Sequence, residues 1–311
     1  MSAAVGGTGG SGTAPAASTG QQQAMAAAQE QLQRRAAELL RDGTVAVVIG
    51  WGRGRFANQS TPVFIREPSD AGGLIFDEYC VNSLAKYVLD QKHRGRVAVC
   101  ARGCDARGIN RLIADGQIAR EDVYLLGLPC PGMRDRVTEE LLDTCTVCTH
   151  PNPVVYDELL AAEVAQPPAT TSEGRFASVE AIEAMSVAQR REYFDQVFRT
   201  CIRCYACRDV CPCCSCRECF VDTQRVGWQG KQNNLPENRF YGLTRIFHIA
   251  DRCIECGQCE RVCPMDLPLM ALNRKMIRDL ERLFEADEAG LDDAGLPALG
   301  SYDQGDVEEF M

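Results

Sequence analysis

The chain has 311 residues, 45% of them hydrophobic, and a net charge of −10. That length suggests two domains plus tails, with enough apolar residues for packed cores. The acidic balance argues against a nucleic-acid partner, which needs a basic surface. The N-terminus shows no basic stretch followed by an apolar core, so no secretory signal is read there. No apolar run approaches the roughly 20 residues of a membrane span. The eighteen cysteines therefore read as thiolate ligands in a reducing cytoplasm, not as a disulfide scaffold.

Residues 1–20, rich in Gly, Ser, Ala and Thr, read as a flexible leader. A helix is predicted over residues 21–41, with Leu32, Ala36, Leu39 and Leu40 on one side and Gly43 as a stop. Thr44–Ile49 is a β-branched run and reads as a buried strand. A helix is predicted over Tyr79–Asp90, a strand over Arg96–Cys100, a helix over Ala106–Ala114 and a strand over Val123–Leu128. Strands alternating with helices predict an α/β domain with a mainly parallel sheet over residues 21–164. Residues 165–178 read as a Pro/Ala/Thr/Ser linker, and residues 179–284 as a second, mainly helical domain. In that domain helices are predicted over residues 179–199, over Tyr241–Ile249 and over Leu269–Phe284, the last with Leu272, Met276, Leu280 and Leu283 inward. From Leu283 onward there are nine acidic residues and no Lys or Arg, so residues 285–311 read as an acidic, mobile tail, with Tyr302, Phe310 and Met311 as candidate docking anchors.

The second domain carries two identical cysteine runs. They are Cys201-x2-Cys204-x2-Cys207-x3-Cys211-Pro212 and Cys253-x2-Cys256-x2-Cys259-x3-Cys263-Pro264. Three thiolates on one tight loop reach three irons of a cubane [4Fe–4S] cluster, and the fourth, three residues on, ligates the other cluster of the pair. One cluster is thus assigned to Cys201, Cys204, Cys207 and Cys263, and the other to Cys253, Cys256, Cys259 and Cys211. The 41 residues between Cys211 and Cys253 exceed the shortest ferredoxin arrangement and leave room for helices. This fold expectation is a two-[4Fe–4S] ferredoxin-like domain, and its chemistry is single-electron transfer.

Six cysteines precede the linker. Cys104 follows a predicted strand and opens a helix, Cys130 follows the next strand, and Cys145-x2-Cys148 supplies a pair from a loop. Ligands at the carboxyl ends of parallel strands converge on the crevice where α/β folds bind ligands. These four thiolates suffice for a third cubane, with structural zinc as the alternative. The helix dipole favours a thiolate at Cys104. Cys80 and Cys100 read as buried core cysteines, Cys100 being near enough to Cys104 to substitute for it. The motifs Gly103-Cys104-Asp105, Gly127-Leu128-Pro129-Cys130 and Cys145-Thr146-Val147-Cys148 resemble the beta subunit of coenzyme F-420 (deazaflavin) hydrogenases and dehydrogenases, over roughly residues 40–165. In that family a strand ends in Gly-Thr-Pro-Cys, another ends in Phe-Cys, and a Cys-x2-Cys loop follows. The resemblance implies one [4Fe–4S] cluster on Cys104, Cys130, Cys145 and Cys148, beside an FAD. The family's early Ser-Gly-Gly segment has no clear counterpart, Ala71-Gly72-Gly73 being the nearest. The Gly50–Arg55 stretch reads as a phosphate cradle or as a plain turn.

Cys213, Cys214, Cys216 and Cys219 lie beyond both runs. They read either as packing around a cluster or as a further metal or redox site, the Cys216-x2-Cys219 spacing suiting a metal or dithiol. His150, two residues past Cys148, reads as a neighbour of that site. No hydrolytic or transfer constellation is evident. The chain is similar to the small iron–sulfur subunits that accompany heterodisulfide-reductase-like flavoproteins, hydrogenases or formate dehydrogenases in anaerobes. That resemblance implies an electron-transfer subunit within a hetero-oligomeric complex of redox proteins. The alternative is an FAD-containing oxidoreductase that exchanges hydride with a deazaflavin or nicotinamide coenzyme.

Overall fold

The computed structural model describes residues 19–165, 174–223, 225–293 and 297–300. Most of the predicted leader therefore lies outside the described residues, as do Tyr302, Phe310 and Met311. Helix α1 (Thr19–Arg41) buries Leu32, Ala36 and Leu39, the side chains its periodicity put on one face. Five strands follow: β1 (Val47–Arg53), β2 (Ser60–Ile65), β3 (Val97–Ala101), β4 (Val123–Gly127) and β5 (Glu158–Leu159). They form one sheet in the order β2-β1-β3-β4-β5. Only the β1–β2 pair is antiparallel, so the sheet is mainly parallel as the alternation implied.

Strands β3 and β4 are buried almost throughout, which is why they read as continuous apolar runs. Strand β1 starts later than predicted and runs on through Gly50-Trp51-Gly52-Arg53. The glycines there are packing devices. A Cβ on Gly50 would lie 2.4 Å from the Leu74 side chain, and one on Gly52 would lie 2.7 Å from Val63.

The predicted helix at 79–90 is largely absent. Residues 79–84 are irregular, and only α2 (Val88–Gln91), after a short 3₁₀ turn at Ala85–Tyr87, is helical. The segment's polar backbone is used elsewhere: Trp51 Nε1 donates to the Asn82 carbonyl at 2.9 Å, and the Leu84 N–H donates to Asp105 Oδ1 at 2.9 Å. Helix α3 (Gly103–Ala114) follows β3 directly, and α4 (Asp143–Thr146) is a single turn in the loop after β4.

Helix α1 is tied to the far edge of the sheet by charge. Arg35 Nε donates to Glu158 Oε2 at 2.7 Å, and the Tyr124 hydroxyl donates to Oε1 at 2.9 Å. The Arg35 hydrogen bond holds the Glu158 carboxyl below its usual range. Its contribution is therefore complete above the unfolded carboxyl's pKa and is lost as pH falls through the depressed folded value. Glu158→Gln is expected to cost about 1 kcal/mol at neutral pH. The difference should narrow as pH drops into the carboxylate range. Urea unfolding of both chains, compared at each pH, checks it.

The second half is helical: α5 (Ala177–Glu183), α6 (Val187–Thr200), α7 (Ala206–Asp209), α8 (Leu235–His248), α9 (Gln258–Arg261) and α10 (Leu269–Leu283). Helix α5 begins inside the stretch predicted as linker, of which residues 166–173 lie outside the described residues. Ser186 caps α6 reciprocally with Gln189, and Asn234 caps α8 through the Glu237 N–H at 3.1 Å. Helix α10 matches its predicted face only in part: Leu280 is buried and Leu272 and Met276 are half-buried, but Met270, Asn273, Arg274 and Ile277 are buried too and Leu283 is exposed. Polar side chains turn inward there because they have partners: Arg274 Nε meets Glu255 at 3.2 Å, and Asn273 Nδ2 lies 3.6 Å from Cys259 Sγ.

The two halves are packed together. Gln258 Nε2 donates to the Val81 carbonyl at 2.7 Å, and Lys86 Nζ donates to the Arg208 carbonyl at 3.0 Å. The start of the acidic stretch also sits on the fold. Arg107 Nε donates to the Ala289 carbonyl at 2.9 Å, and Asn110 Nδ2 donates to the Gly290 carbonyl at 3.1 Å.

Candidate metal centres

The two cysteine runs fold alike. Each has two left-handed residues at matching places: Arg203 (φ 52°) and Tyr205 (φ 63°) in the first, Glu255 (φ 56°) and Gly257 (φ 67°) in the second. Each then enters a one-turn helix, α7 or α9. The left-handed turns curl the backbone around its own thiols, so that the Arg203 N–H donates to Cys201 Sγ at 3.3 Å. Tyr205 accepts a conformation that glycine takes more readily. Gly257 has a further reason to be glycine, since a Cβ would come within 2.4 Å of Thr144.

Cys201, Cys204, Cys207 and Cys263 line one cavity, here called the outer cavity. Cys211, Cys253, Cys256 and Cys259 line a second, the inner cavity, together with Cys213. The last thiol of each run therefore faces the first three of the other. Burial pushes the thiols of Cys201, Cys253, Cys256 and Cys259 up, Cys259 to about 12. Cys211 is the exception: the neighbouring Cys213 and Cys214 hold it well below the usual thiol range.

Cys104, Cys130, Cys145 and Cys148 line a third cavity of about 250 Å³. Cys104 is carried there by α3 just after β3, Cys130 by the loop after β4, and Cys145 by α4 with Cys148 following it. The Cys130 N–H donates to the Pro151 carbonyl at 2.9 Å, and the Met133 N–H donates to Cys145 Sγ at 3.4 Å. Desolvation raises all four thiols, Cys104 to about 12, with Arg102 opposing the rise at Cys104 and Cys130. All eighteen cysteines are free thiols. Among the described residues, no three His, Cys, Asp or Glu converge as a single metal ion would require. In each place at least four thiols ring a cavity, five in the inner one with Cys213. A buried neutral thiol gains by giving its proton to solvent and its sulfur to a metal cluster, so these donor sets fit [4Fe–4S] groups.

Two features around the third cavity lie outside the cysteine pattern. Arg102 is buried, donates through Nε to Asp105 Oδ2 at 2.7 Å and through Nη2 to the Asn82 carbonyl at 2.9 Å, and stands over the Trp51 ring. It supplies a fixed positive charge beside Cys104 and Cys130. The Arg102 N–H also donates to Asp105 Oδ2 at 3.3 Å, so Asp105 holds both ends of this residue at the start of α3. The second feature has no signal in sequence. Ile254, Glu255, Cys256 and Gln258 of the second run, with Arg274, form part of this cavity's wall. Cys256 thus borders both the inner and the third cavities.

His150 also lines the third cavity, but its ring is engaged by Thr149 Oγ1 at 2.8 Å and Glu288 at 3.3 Å. Burial and the nearby Arg107 charge lower its pKa. Cys80 and Cys100 are fully buried in the hydrophobic core and line none of the three cavities. Of the additional cysteines, Cys213 donates its thiol to the Arg252 carbonyl at 2.8 Å, Cys214 and Cys219 are half-buried, and Cys216 is exposed. The phosphate-cradle candidate and the nearest Ser-Gly-Gly counterpart are both accounted for by the fold. Gly50–Arg53 lies in β1, and Ala71-Gly72-Gly73 ends a 3₁₀ turn beside α1. A cavity of about 520 Å³ lies next to Arg53 and Arg55, but Asp77 and Glu78 also line it, and their charge opposes a pyrophosphate.

Residues 197–267 match the family described as 4Fe-4S dicluster domain, so the chain contains such a domain. A 93-residue stretch, 28% of the chain, is 43% identical to the F420-dependent formate dehydrogenase subunit beta of Methanocaldococcus jannaschii and covers 24% of that protein. A 114-residue stretch, 35% of the chain, is 39% identical to the F420-dependent formate dehydrogenase 1 subunit beta of Methanococcus maripaludis and covers 27% of it. Over 72 residues, 23% of the chain, it is 36% identical to a subunit of the ion-translocating oxidoreductase complex of Buchnera aphidicola, covering 12% of that protein. No helix among the described residues is long and apolar enough to cross a membrane. The chain spans about a quarter of the length of the two formate dehydrogenase subunits it matches.

Proposed function

We propose that this chain is an iron–sulfur electron-transfer subunit that relays single electrons through three [4Fe–4S] clusters. In this reading Cys201, Cys204, Cys207 and Cys263 hold the outer cluster. Cys211, Cys253, Cys256 and Cys259 hold the inner one, and Cys104, Cys130, Cys145 and Cys148 hold a third. A cubane on such thiolates accepts and releases one electron at a time. The observation that carries the proposal is the double placement of Cys256. Its side chain borders the third and the inner cavities, while the crossed runs put the outer cavity beside the inner one. The relay then has one order, with the inner cluster between the other two.

The protein's own part is to fix that order and set each potential. It does so through the buried charge of Arg102, the N–H of Arg203 on Cys201, and the amide of Asn273 beside Cys259. The relatives are named as subunits of F420-dependent formate dehydrogenases and of an ion-translocating oxidoreductase complex. We accordingly infer partner subunits of an oxidoreductase complex, and a reducing cytoplasm where free thiols persist.

Iron, zinc and flavin per chain, measured on anaerobically purified protein, test the proposal. About twelve irons and no flavin are expected. About eight irons with zinc would make the third site structural. Stoichiometric flavin would turn the first domain from a relay into the hydride-exchanging oxidoreductase, whatever the iron count.

A further inference from the structure

Arg245 lies on α8, lining the outer cavity one turn before Ile249, which lines the inner cavity. It is 4% exposed. Its Nη2 donates to the Cys207 carbonyl at 3.0 Å, while its Nε is buried without a hydrogen-bond partner. The other buried arginines that line the thiol cavities have carboxylates: Arg102 pairs with Asp105 at 2.7 Å, Arg107 with Glu288 at 3.3 Å and Arg274 with Glu255 at 3.2 Å, and Arg203 lies 3.7 Å from Glu237. Among the described residues no carboxylate pairs with Arg245. A buried guanidinium in that position is costly unless other negative charge compensates it. The negative charge within reach is sulfur. Arg245 lines the outer cavity, and Ile249, one helical turn further along the chain, lines the inner one, so Cys207 of the outer set and Cys211 and Cys259 of the inner set lie within range of the guanidinium charge.

We propose that Arg245 is the shared counter-charge of the outer and inner clusters and raises the reduction potential of both. The proposal rests on the dicluster reading above. Each cluster that takes one electron from a reductant gains one negative charge. Arg245 stays protonated throughout, so no bond changes and no proton moves. A positive charge at close range in a low-dielectric interior favours the reduced form. Because the one cation faces both sets, it raises the two potentials together, in each case by its own interaction with that cluster.

The test is an EPR-monitored potentiometric titration of the full chain, anaerobically purified, as wild type, Arg245→Gln and Arg245→Lys. With iron retained, Arg245→Gln is expected to lower both ferredoxin-domain midpoints. The fall should be about tenfold in each reduction equilibrium, ~59 mV for a one-electron couple. Arg245→Lys, which keeps the charge, is expected to stay near wild type. A shift in only one midpoint, or in neither, overturns the proposal. Should Arg245→Gln lose iron, Arg245→Lys decides: a fall of both midpoints by as much as tenfold would show that charge is not what matters. A wild-type chain without two reducible centres in this domain would instead sink the dicluster reading itself, a result visible before any variant is made.

Discussion

Cys211→Ala is expected to remove the same cluster as Cys256→Ala, although Cys211 belongs to the other run. Each should lose about four irons, and the double variant should lose no more than either single one. The pair Cys263→Ala and Cys204→Ala should behave likewise for the outer cluster. Combining Cys211→Ala with Cys263→Ala should remove about eight irons. The physical basis is the crossed geometry: Cys211 lines the inner cavity with Cys253, Cys256 and Cys259, and Cys263 lines the outer one with Cys201, Cys204 and Cys207. The same non-additivity is diagnostic of residues that act as one unit. Iron analysis with EPR of the residual signal checks it. If Cys211→Ala instead shared its residual spectrum with Cys204→Ala, each run would hold its own cluster and the crossed assignment would fail. Cys213 bears on the outcome too, since it lines the inner cavity and could be recruited in place of Cys211. Its thiol is committed to the Arg252 carbonyl, so recruitment would have to break that bond. The Cys211→Ala/Cys213→Ala double variant separates the two cases.

The cysteine spacings were the most legible part of this chain, because three thiolates on one loop need a fixed number of intervening residues whatever surrounds them. Strands β3 and β4 were legible because burial on both faces leaves an uninterrupted apolar run. Strand β2 was not. Its Pro62 argues against a strand, yet β2 lies at the sheet edge, where a missing N–H costs no ladder bond. The helix read over residues 79–90 failed because apolar spacing there reflects burial of Leu84, Ala85 and Val88 by a segment whose backbone is bonded to Trp51 and Asp105 instead. The inward face of α10 was legible only in part because Asn273 and Arg274 look like surface residues until Cys259 and Glu255 are in place. Arg245 shows the same limit most sharply. In sequence it is one of two arginines on an amphipathic helix. Its meaning comes from Cys207, Cys211 and Cys259, which only folding brings to it.

The third site can be broken without touching a thiol. Gly103→Ala is expected to cost this site about four irons while the ferredoxin-domain signals persist. Gly103 opens α3, directly before Cys104, and the backbone of the loop after Cys148 crosses it closely. A Cβ at Gly103 would lie 2.0 Å from the His150 carbonyl oxygen and 2.9 Å from that of Asn152. Those are backbone atoms and cannot swing aside as a side chain would. The Pro151 carbonyl between them accepts the Cys130 N–H. A push on residues 150–152 therefore moves Cys104, Cys130 and Cys148 together. Overpacking of this kind costs about 1–3 kcal/mol or more, and here the cost falls on three of the four donors. Gly72→Ala is the matched control, since nothing lies within 4 Å of a Cβ there, and it should keep full iron. A Gly103→Ala chain that retained all its iron would mean the thiols of this cavity do not depend on the packing of the strand-end loops. The convergence of Cys104, Cys130, Cys145 and Cys148 would then lose its claim to be a built metal site. A chain that lost iron from all three sites alike would point to a third centre on which the ferredoxin half depends for its own folding, an outcome that the contact of Gln258 with Val81 makes physically accessible.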